Sequence, residues 1–244
     1  MECIAVIPAR SGSKSIKDKN LAELGSYPLI AYSIAAAKLA NQIDRVIVST
    51  DSQKYADIAK KFGAEVPFLR PETISSDKST DFEFMKHTIE YLGSNENKKF
   101  EYLIHLRPTT PLRDPSELDN AIKLIKSRKD ATSLRSGHLS HESPFKWFQM
   151  NSDGFFTSLN SDDMDLDKYN EPRQNFPEVF IPNGYIDIVR HSHIKERQVL
   201  HGNKVLGFRT PHCVEIDSPE ELDLLRYQLK HEGTPLINYL QRIN

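Results

Sequence analysis

The chain has 244 residues, of which 38% are hydrophobic and 27% charged, with a formal net charge of -2. At ~150 residues per domain, this fits one large domain or one domain carrying an insertion. The slight net negative charge argues against nucleic acid as a partner, because a phosphate-backbone binder usually presents a net basic face. Apolar runs such as Leu29–Ala37 are interrupted by Tyr32 and Ser33. They fall short of the ~20 residues that span a bilayer, so no membrane association is expected. The opening Met1-Glu2 has no basic region before its apolar run, so no signal peptide is expected. Cys3 and Cys213 are the two cysteines, both in apparent strands, and a reducing cytoplasm is the expected compartment.

Cys3–Ile7 is a continuous apolar run ending at Pro8 and reads as a buried strand. Leu29–Leu39 reads as a helix and Arg45–Ser49 as a second strand, followed by a turn at Thr50-Asp51 and a helix over Gln53–Phe62. Ser79 can cap a helix that carries Phe82, Met85, Ile89 and Leu92 at helical spacing. Tyr102–Leu106 is a strand. Asp114-Pro115-Ser116-Glu117 then supplies a cap, a proline at the first helical position and a capping carboxylate before Leu118, Ile122 and Ile125. Ser218-Pro219-Glu220-Glu221 repeats that signature before Leu222, Leu225 and Leu229. Strands alternating with helices predict an α/β fold: a Rossmann-like, mostly parallel twisted sheet with flanking helices. The stretch 138–182 breaks the alternation and reads as an inserted hairpin region. It holds Phe145, Trp147, Phe148, Phe155 and Phe156, a turn signal at Asp153-Gly154 and a polar loop over Asn160–Asn175.

Chemistry concentrates in the loops after strands. The first loop, Pro8–Asn20, carries Arg10, Ser11, Gly12, Lys14, Lys17 and Lys19 with Asp18 as the opposing charge. In an open parallel sheet such a loop lies where ligands bind, and its cations, hydroxyls and glycine suit a polyphosphate. A Walker loop is excluded, because Ser13 separates Gly12 from Lys14. The run His105–Arg113 follows a strand. Two prolines fix its path and two arginines, Arg107 and Arg113, can face an anion. Glu215-Ile216-Asp217 reads as the end of a late strand, with both carboxylates on one side, able to hold Mg²⁺ that also touches phosphate oxygens or merely to cap the next helix. Asn183-Gly184 reads as a turn between strands. The histidines show no metal-ligand spacing and read as surface or core residues.

An ordered set of segments carries a resemblance: IAVIPARSGSKSIKDKN at 4–20, RVIVSTD at 45–51, FLRPETISSDKST at 68–80, LRPTTPLR at 106–113, EPRQNFP at 171–177, PNG at 182–184 and EIDSPEELD at 215–223. Together they resemble the CMP-sialic acid synthetase family, the acylneuraminate cytidylyltransferases. The resemblance covers nearly the whole chain. It implies a single nucleotidyltransferase domain over 1–244, whose 138–182 insertion helps build a homodimer. It also implies Mg²⁺ (or Mn²⁺)-dependent transfer of CMP from CTP to a nine-carbon α-keto acid sugar, with release of pyrophosphate. The sugar it implies is a sialic-type acid; the alternatives are another keto-acid sugar (legionaminic, pseudaminic, KDN or KDO-like) and a non-catalytic nucleotide-binding homologue.

By the same resemblance, Arg10, Lys14, Lys19 and Asn20 match residues that handle the CTP phosphates and nucleotide, with Ser11 beside them. Arg70, Ser79 and Thr80 match a segment lining the nucleotide pocket. Lys146 and Arg173 match basic residues on the sugar side. Asp217 matches the second carboxylate of a metal-binding Asp-x-Asp pair, with Glu215 in the first position. Arg10, Lys14 and Asp217 are the expected catalytic set. Ser15 replaces a frequent glycine, Arg107 a common glutamine, Ile181 a frequent arginine and Asp187 a frequent tyrosine. Arg107 and Asp187 are therefore expected to face a sugar other than ordinary N-acetylneuraminic acid.

Overall fold

The computed structural model describes residues 2–13, 15–96, 100–159 and 166–243. Strand β1 (Glu2–Pro8) sits inside the central sheet because its residues are apolar on both sides. Cys3, Ala5 and Ile7 enter one core, while Ile4 and Val6 enter the core on the opposite face. A small hairpin follows, β2 (Glu23–Leu24) with β3 (Tyr27–Pro28), and leads into α1 (Leu29–Leu39). Nine of the eleven α1 residues, Leu29 to Ala37, are buried, so this helix is central and packs against β1 and its neighbours.

The chain then passes through β4 (Arg45–Ser49), α2 (Gln53–Lys61), α3 (Asp81–Asn95), β5 (Phe100–His105), α4 (Pro115–Ser127) and β6 (Ser133–Leu139). The hairpin β7 (Phe148–Met150) and β8 (Phe156–Ser158) comes next. It is followed by β9 (Phe180–Arg190), α5 (His191–Arg197), β10 (Val205–Arg209), α6 (Pro219–Glu232) and α7 (Leu236–Ile243). The central sheet runs β10-β6-β9-β5-β1-β4. Strands β4 and β5 pair parallel to β1 on its two sides, and β10 pairs parallel to β6. Strand β9 departs from the parallel expectation by lying antiparallel between β5 and β6. No helix among the described residues is long and apolar enough to cross a membrane.

Local chemistry fixes the helix starts. Asp114 caps α4 by accepting from the Ser116 N–H (2.8 Å), ahead of Pro115 in the first turn. Ser218 and Glu221 form a reciprocal capping box on α6. Helix α3 begins one residue later than expected, because Thr80, not Ser79, forms the capping box with Glu83. The Ser79 hydroxyl instead closes a turn by accepting from the Ser76 N–H (3.0 Å).

Two further expectations change, while the hairpin expected at Asp153-Gly154 forms. Cys213 and Glu215–Asp217 belong to no strand: the segment between β10 and α6 is extended, and its Ile216 N–H donates to the Thr109 carbonyl (2.9 Å). Asn183-Gly184 lies inside β9, not between strands. The hairpin at Asp153-Gly154 needs five residues, with Asn151 Oδ1 accepting from the Asp153 and Phe155 N–H groups. Strands β6 and β9 reach into both ends of the 138–182 segment. Of the 160–175 loop, residues 160–165 lie outside the described residues; short turns occupy Leu166–Asn170 and Arg173–Asn175.

Arg113, expected to face an anion, is fully buried. Its guanidinium donates to the carbonyls of Arg107 (2.6 Å), Gly184 (2.6 Å) and Tyr185 (2.5 Å) and to Ser33 Oγ (2.9 Å). Burial pulls its pKa down to about 10. Arg113→Leu leaves those acceptors unpaired in the core and should lower unfolding stability by about 3–5 kcal/mol, measured by urea titration. Arg113→Lys should recover little, since one ammonium cannot span four separated acceptors.

Candidate active site

The cleft lies at the C-terminal ends of β1 and β5, where the chain order switches from one side of β1 to the other. It has a volume of about 410 Å³ and brings together Arg10, Lys19, Asn20, Arg70, Ser79, Thr80 and Arg107, all marked in the sequence. Lys14 lies outside the described residues.

The first loop is stitched down from two sides. The Ser11 N–H and hydroxyl donate to the two carboxylate oxygens of Asp51 (2.7 and 2.6 Å), just after β4. That commits Ser11 to shaping the loop. Gly12 takes a φ of +75°, which a residue with a Cβ rarely adopts. Asp18 accepts from the Tyr55 hydroxyl (2.9 Å) and Lys54 (3.4 Å) on α2, and of the loop's own cations it acts on Lys17. The buried Asn20 amide donates to the Arg10 carbonyl (3.1 Å).

Each cation has a defined partner. Arg10 pairs with Asp77 (2.8 Å), Lys19 with Asp217 (3.0 Å) and Arg107 with Asp81 (2.8 Å). Lys19 also donates to the Ile216 carbonyl (3.0 Å). Arg70 is buried and stacks on Phe84 at 5.0 Å. It donates to Ser49 through its hydroxyl (3.0 Å) and carbonyl (2.5 Å), and burial brings its pKa down to about 10. Sequence reasoning missed Asp77 and Asp81, the partners of Arg10 and Arg107. Both lie in or beside the FLRPETISSDKST segment, but pairing across loops leaves no spacing signal.

Glu215 reaches the back of this region. Its Oε1 accepts from the cleft-lining Thr109 hydroxyl (3.2 Å). Asp217 is three-quarters exposed and touches the cleft through Lys19. Against Glu215 lies a bulge of β9, opened where the pairing of Arg135 with Asp187 jumps to that of Gly137 with Pro182. The bulge is held by Ser136 Oγ, which donates to Asn183 Oδ1 (2.7 Å) and accepts from the Ile186 N–H (3.0 Å). It presses Gly184 so close that a Cβ there would lie 2.7 Å from Thr110 Oγ1 and 3.0 Å from Glu215 Oε1. Glycine is therefore required for backbone approach, a role different from the expected turn.

Asp187 is buried at the edge of the cleft, 3.4 Å from Arg135 and 3.8 Å from Arg107, and burial raises its pKa. Lys146 and Arg173 do not line the cleft. Lys146 donates to the Glu171 carbonyl (2.8 Å) beneath the Phe176 ring, and Arg173 donates to the Ser140 carbonyl. Arg173 borders a second hollow of about 400 Å³ within the insertion.

His105 is fully buried below the cleft, and its Nε2 has no hydrogen-bond partner among the described residues. Burial pushes its pKa from 6.5 down to about 3. The unfolded chain therefore binds a proton that the folded chain refuses, and stability contributed by the neutral ring is lost as pH falls from 6.5 towards 3. The stability lead of the wild type over His105→Gln should shrink in that window, by at most about 1.4 kcal/mol per pH unit. Urea titrations of both proteins between these limits check it; a constant lead would exclude the effect.

Comparison with known proteins extends this geometry. The chain is 34% identical over 220 residues to an N-acylneuraminate cytidylyltransferase of Escherichia coli O18:K1:H7, covering 90% of this chain and 50% of that protein. It is 38% identical over 128 residues to a CMP-N,N'-diacetyllegionaminic acid synthase of Legionella pneumophila, covering 52% of this chain and 54% of that protein. The chain thus spans about half the length of these two curated relatives. In fold it is similar to a CMP:2-keto-3-deoxy-manno-octonic acid synthetase solved in complex with CTP. That likeness has a TM-score of 0.69 at 16% identity and covers 95% of this chain and 100% of that one. The cytidylyltransferase family profile matches residues 4–204. With that match spanning most of the sheet and the loops that build the cleft, the chain belongs to the cytidylyltransferase family.

Proposed function

We propose that this protein transfers CMP from CTP to a sialic-type, nine-carbon α-keto acid sugar and releases pyrophosphate. The observation that carries the reading is the convergence of Arg10, Lys19 and Arg70, from separate loops, on one cleft at the strand ends. Similarity to cytidylyltransferases of sialic and legionaminic acids supports CTP as donor and a nonulosonic acid as acceptor. In the proposed reaction the anomeric hydroxyl oxygen bonds to the α-phosphorus, the bond from that phosphorus to the pyrophosphate oxygen breaks, and the hydroxyl proton passes to solvent.

The protein's work is positioning and charge neutralisation. Arg10 and Lys14 neutralise phosphate oxygens; Lys19 and Asn20 orient the nucleotide; Arg70, Ser79 and Thr80 wall its pocket. Ser11 supports the loop through Asp51. Arg107 and Asp187, like Lys146 and Arg173, are assigned to the sugar side by the resemblance. Glu215 and Asp217 would hold Mg²⁺ (or Mn²⁺). No cluster of three or more such ligands is found among the described residues, but two hard carboxylates at a phosphate cleft fit an ion whose shell is completed by substrate oxygens and water. When bound, the ion supplies Lewis-acid neutralisation of phosphate charge and lowers the pKa of the attacking hydroxyl.

We also infer a homodimer formed through the 138–182 insertion. Phe148, Met150 and Phe156 on the β7–β8 hairpin, with Trp147 (47% exposed) and Phe155 (70% exposed) beside it, are all exposed, a concentration of apolar side chains typical of interfaces. A second copy of this chain is the proposed occupant. Light scattering at micromolar concentration should give twice the monomer mass; a monomer with full activity would overturn it.

Pyrophosphate release is the direct test of the reaction. CTP, Mg²⁺ and a panel of nine-carbon keto acids should yield pyrophosphate, and UTP should replace CTP poorly. Asp217→Asn should abolish turnover at an unchanged melting temperature, because the exposed carboxylate loses its charge without emptying the core. Lys14→Ala should cost about 10²–10³ in rate. No release with any sugar, or normal turnover in Asp217→Asn at saturating Mg²⁺, counts against the reading.

A further inference from the structure

Resting on the cytidylyltransferase reading, we propose that Asp81 is a positioning residue that holds Arg107 charge-balanced, so that this guanidinium reads a neutral oxygen of the acceptor, an amide carbonyl or a hydroxyl, and not its carboxylate.

The proposal grows from a polar row on a sheet face that is otherwise core. His105 on β5, Asp187 on β9 and Arg135 on β6 lie side by side in register. Two residues earlier in β5 and two later in β9, on the same face, Leu103 and Val189 pack in the core beneath α3. The apolar layer therefore stops at this level. Arg107 follows His105 by two residues, and Asp81 is the first residue of α3. Both Arg107 and Asp81 line the cleft.

The distances define one charge network. Arg107 Nη2 lies 2.8 Å from Asp81 Oδ2 and 3.8 Å from Asp187 Oδ2. Arg135 Nε lies 3.4 Å from the other Asp187 oxygen. His105 Nδ1 is 3.9 Å from Asp81 and 4.0 Å from Asp187. Two guanidiniums face two carboxylates, and the buried imidazole adds no charge above pH 6.5. Glu215 brings a further carboxylate to the same neighbourhood, since the Gly184 Cβ position lies 3.0 Å from its Oε1 and 3.2 Å from Arg107 Cδ.

An incoming carboxylate would have to displace Asp81 from a direct contact and then sit near Asp187 and Glu215. Like charges brought together in a partly dry site repel strongly. A neutral oxygen meets no such penalty. Arg107 donates to Asp81 and to no other protein acceptor among the described residues, and a guanidinium carries five N–H groups. Donors thus remain for the acceptor, in an orientation fixed by Asp81. A site built on directed hydrogen bonds discriminates sharply between substituents that accept and those that do not.

The experiment compares wild type with Asp81→Asn, Asp81→Glu, Arg107→Gln and the Asp81→Asn/Arg107→Gln double variant. CTP affinity is measured by calorimetry without acceptor, and kcat/KM is measured on N-acetylneuraminate, legionaminate, pseudaminate and KDO. Asp81→Asn should lower kcat/KM for acylamino sugars by about tenfold or more, with CTP bound equally or more tightly because a negative charge has left the anion cleft. Asp81→Glu should restore part of the loss. Parallel loss of CTP and sugar binding would mark a merely structural residue, and unchanged sugar kinetics would overturn the proposal. Inorganic sulfate provides an arm independent of turnover. It should bind Asp81→Asn roughly threefold or more tightly than wild type, and the double variant should lose that gain. Equal sulfate affinity overturns the proposal even where the wild type releases pyrophosphate. Absence of pyrophosphate release alone strikes the proposed reaction and leaves the sulfate result to decide the role of Asp81.

Discussion

A buried cation without a carboxylate organises this protein. Arg113 carries its charge into the core and satisfies it with three backbone carbonyls and one hydroxyl. Those four acceptors come from three pieces of the site's foundation: the turn after β5 (Arg107), the bulge in β9 (Gly184 and Tyr185) and helix α1 (Ser33). A guanidinium is suited to this because its donors are fixed in a plane and reach several acceptors at once. The turn thus pinned presents Thr109, which carries the 215–217 segment by bonds to the Ile216 N–H and Glu215. Cleft geometry is thus transmitted from the core by the Arg113 guanidinium and the main-chain groups it holds.

Charge in the cleft is arranged for exchange. Arg10, Lys19 and Arg107 each rest against a carboxylate supplied by another segment. Partly exposed pairs of this kind contribute about 0–1 kcal/mol each, so in the proposed reaction a substrate phosphate can replace Asp77 on Arg10 or Asp217 on Lys19 at little cost, whereas Arg107 lies in the denser charge network with Asp81 and Asp187. The pairing also keeps the cations from folding back on each other. Arg70 is different. Buried and bonded to neutral oxygens of Ser49, it feels the charges of Asp51 and Asp81 only at a distance.

Much of the frame was legible in the sequence because its causes are local. The unbroken apolar run of β1 requires burial on both faces, and Asp114-Pro115 and Ser218-Pro219 with Glu221 start helices by satisfying their own first N–H groups. The basic first loop was recognisable as part of a cleft, since the loops after parallel strands gather at one edge of an α/β sheet. Residues drawn from Pro8–Asn20, 68–80 and 106–113 do meet at one cleft.

What tertiary structure alone decided concerns residues whose partners are far away in the chain. Arg107 and Arg113 look equivalent in LRPTTPLR, yet one lines the cleft and the other is spent in the core. Only the carbonyls of the β9 bulge, 71 and 72 residues distant, make that choice. Asn183-Gly184 has the composition of a turn but serves a close approach, because Ser136 on the neighbouring strand supplies the bonds that open the bulge. Likewise Asp81 reads as an ordinary helix-start carboxylate until folding brings Arg107 to 2.8 Å. Sequence determines what each segment can satisfy within itself, through spacing, caps and apolar periodicity. It does not determine which distant acceptor a buried cation will find, since that depends on packing the whole sheet and on the cost of leaving any buried polar group unpaired.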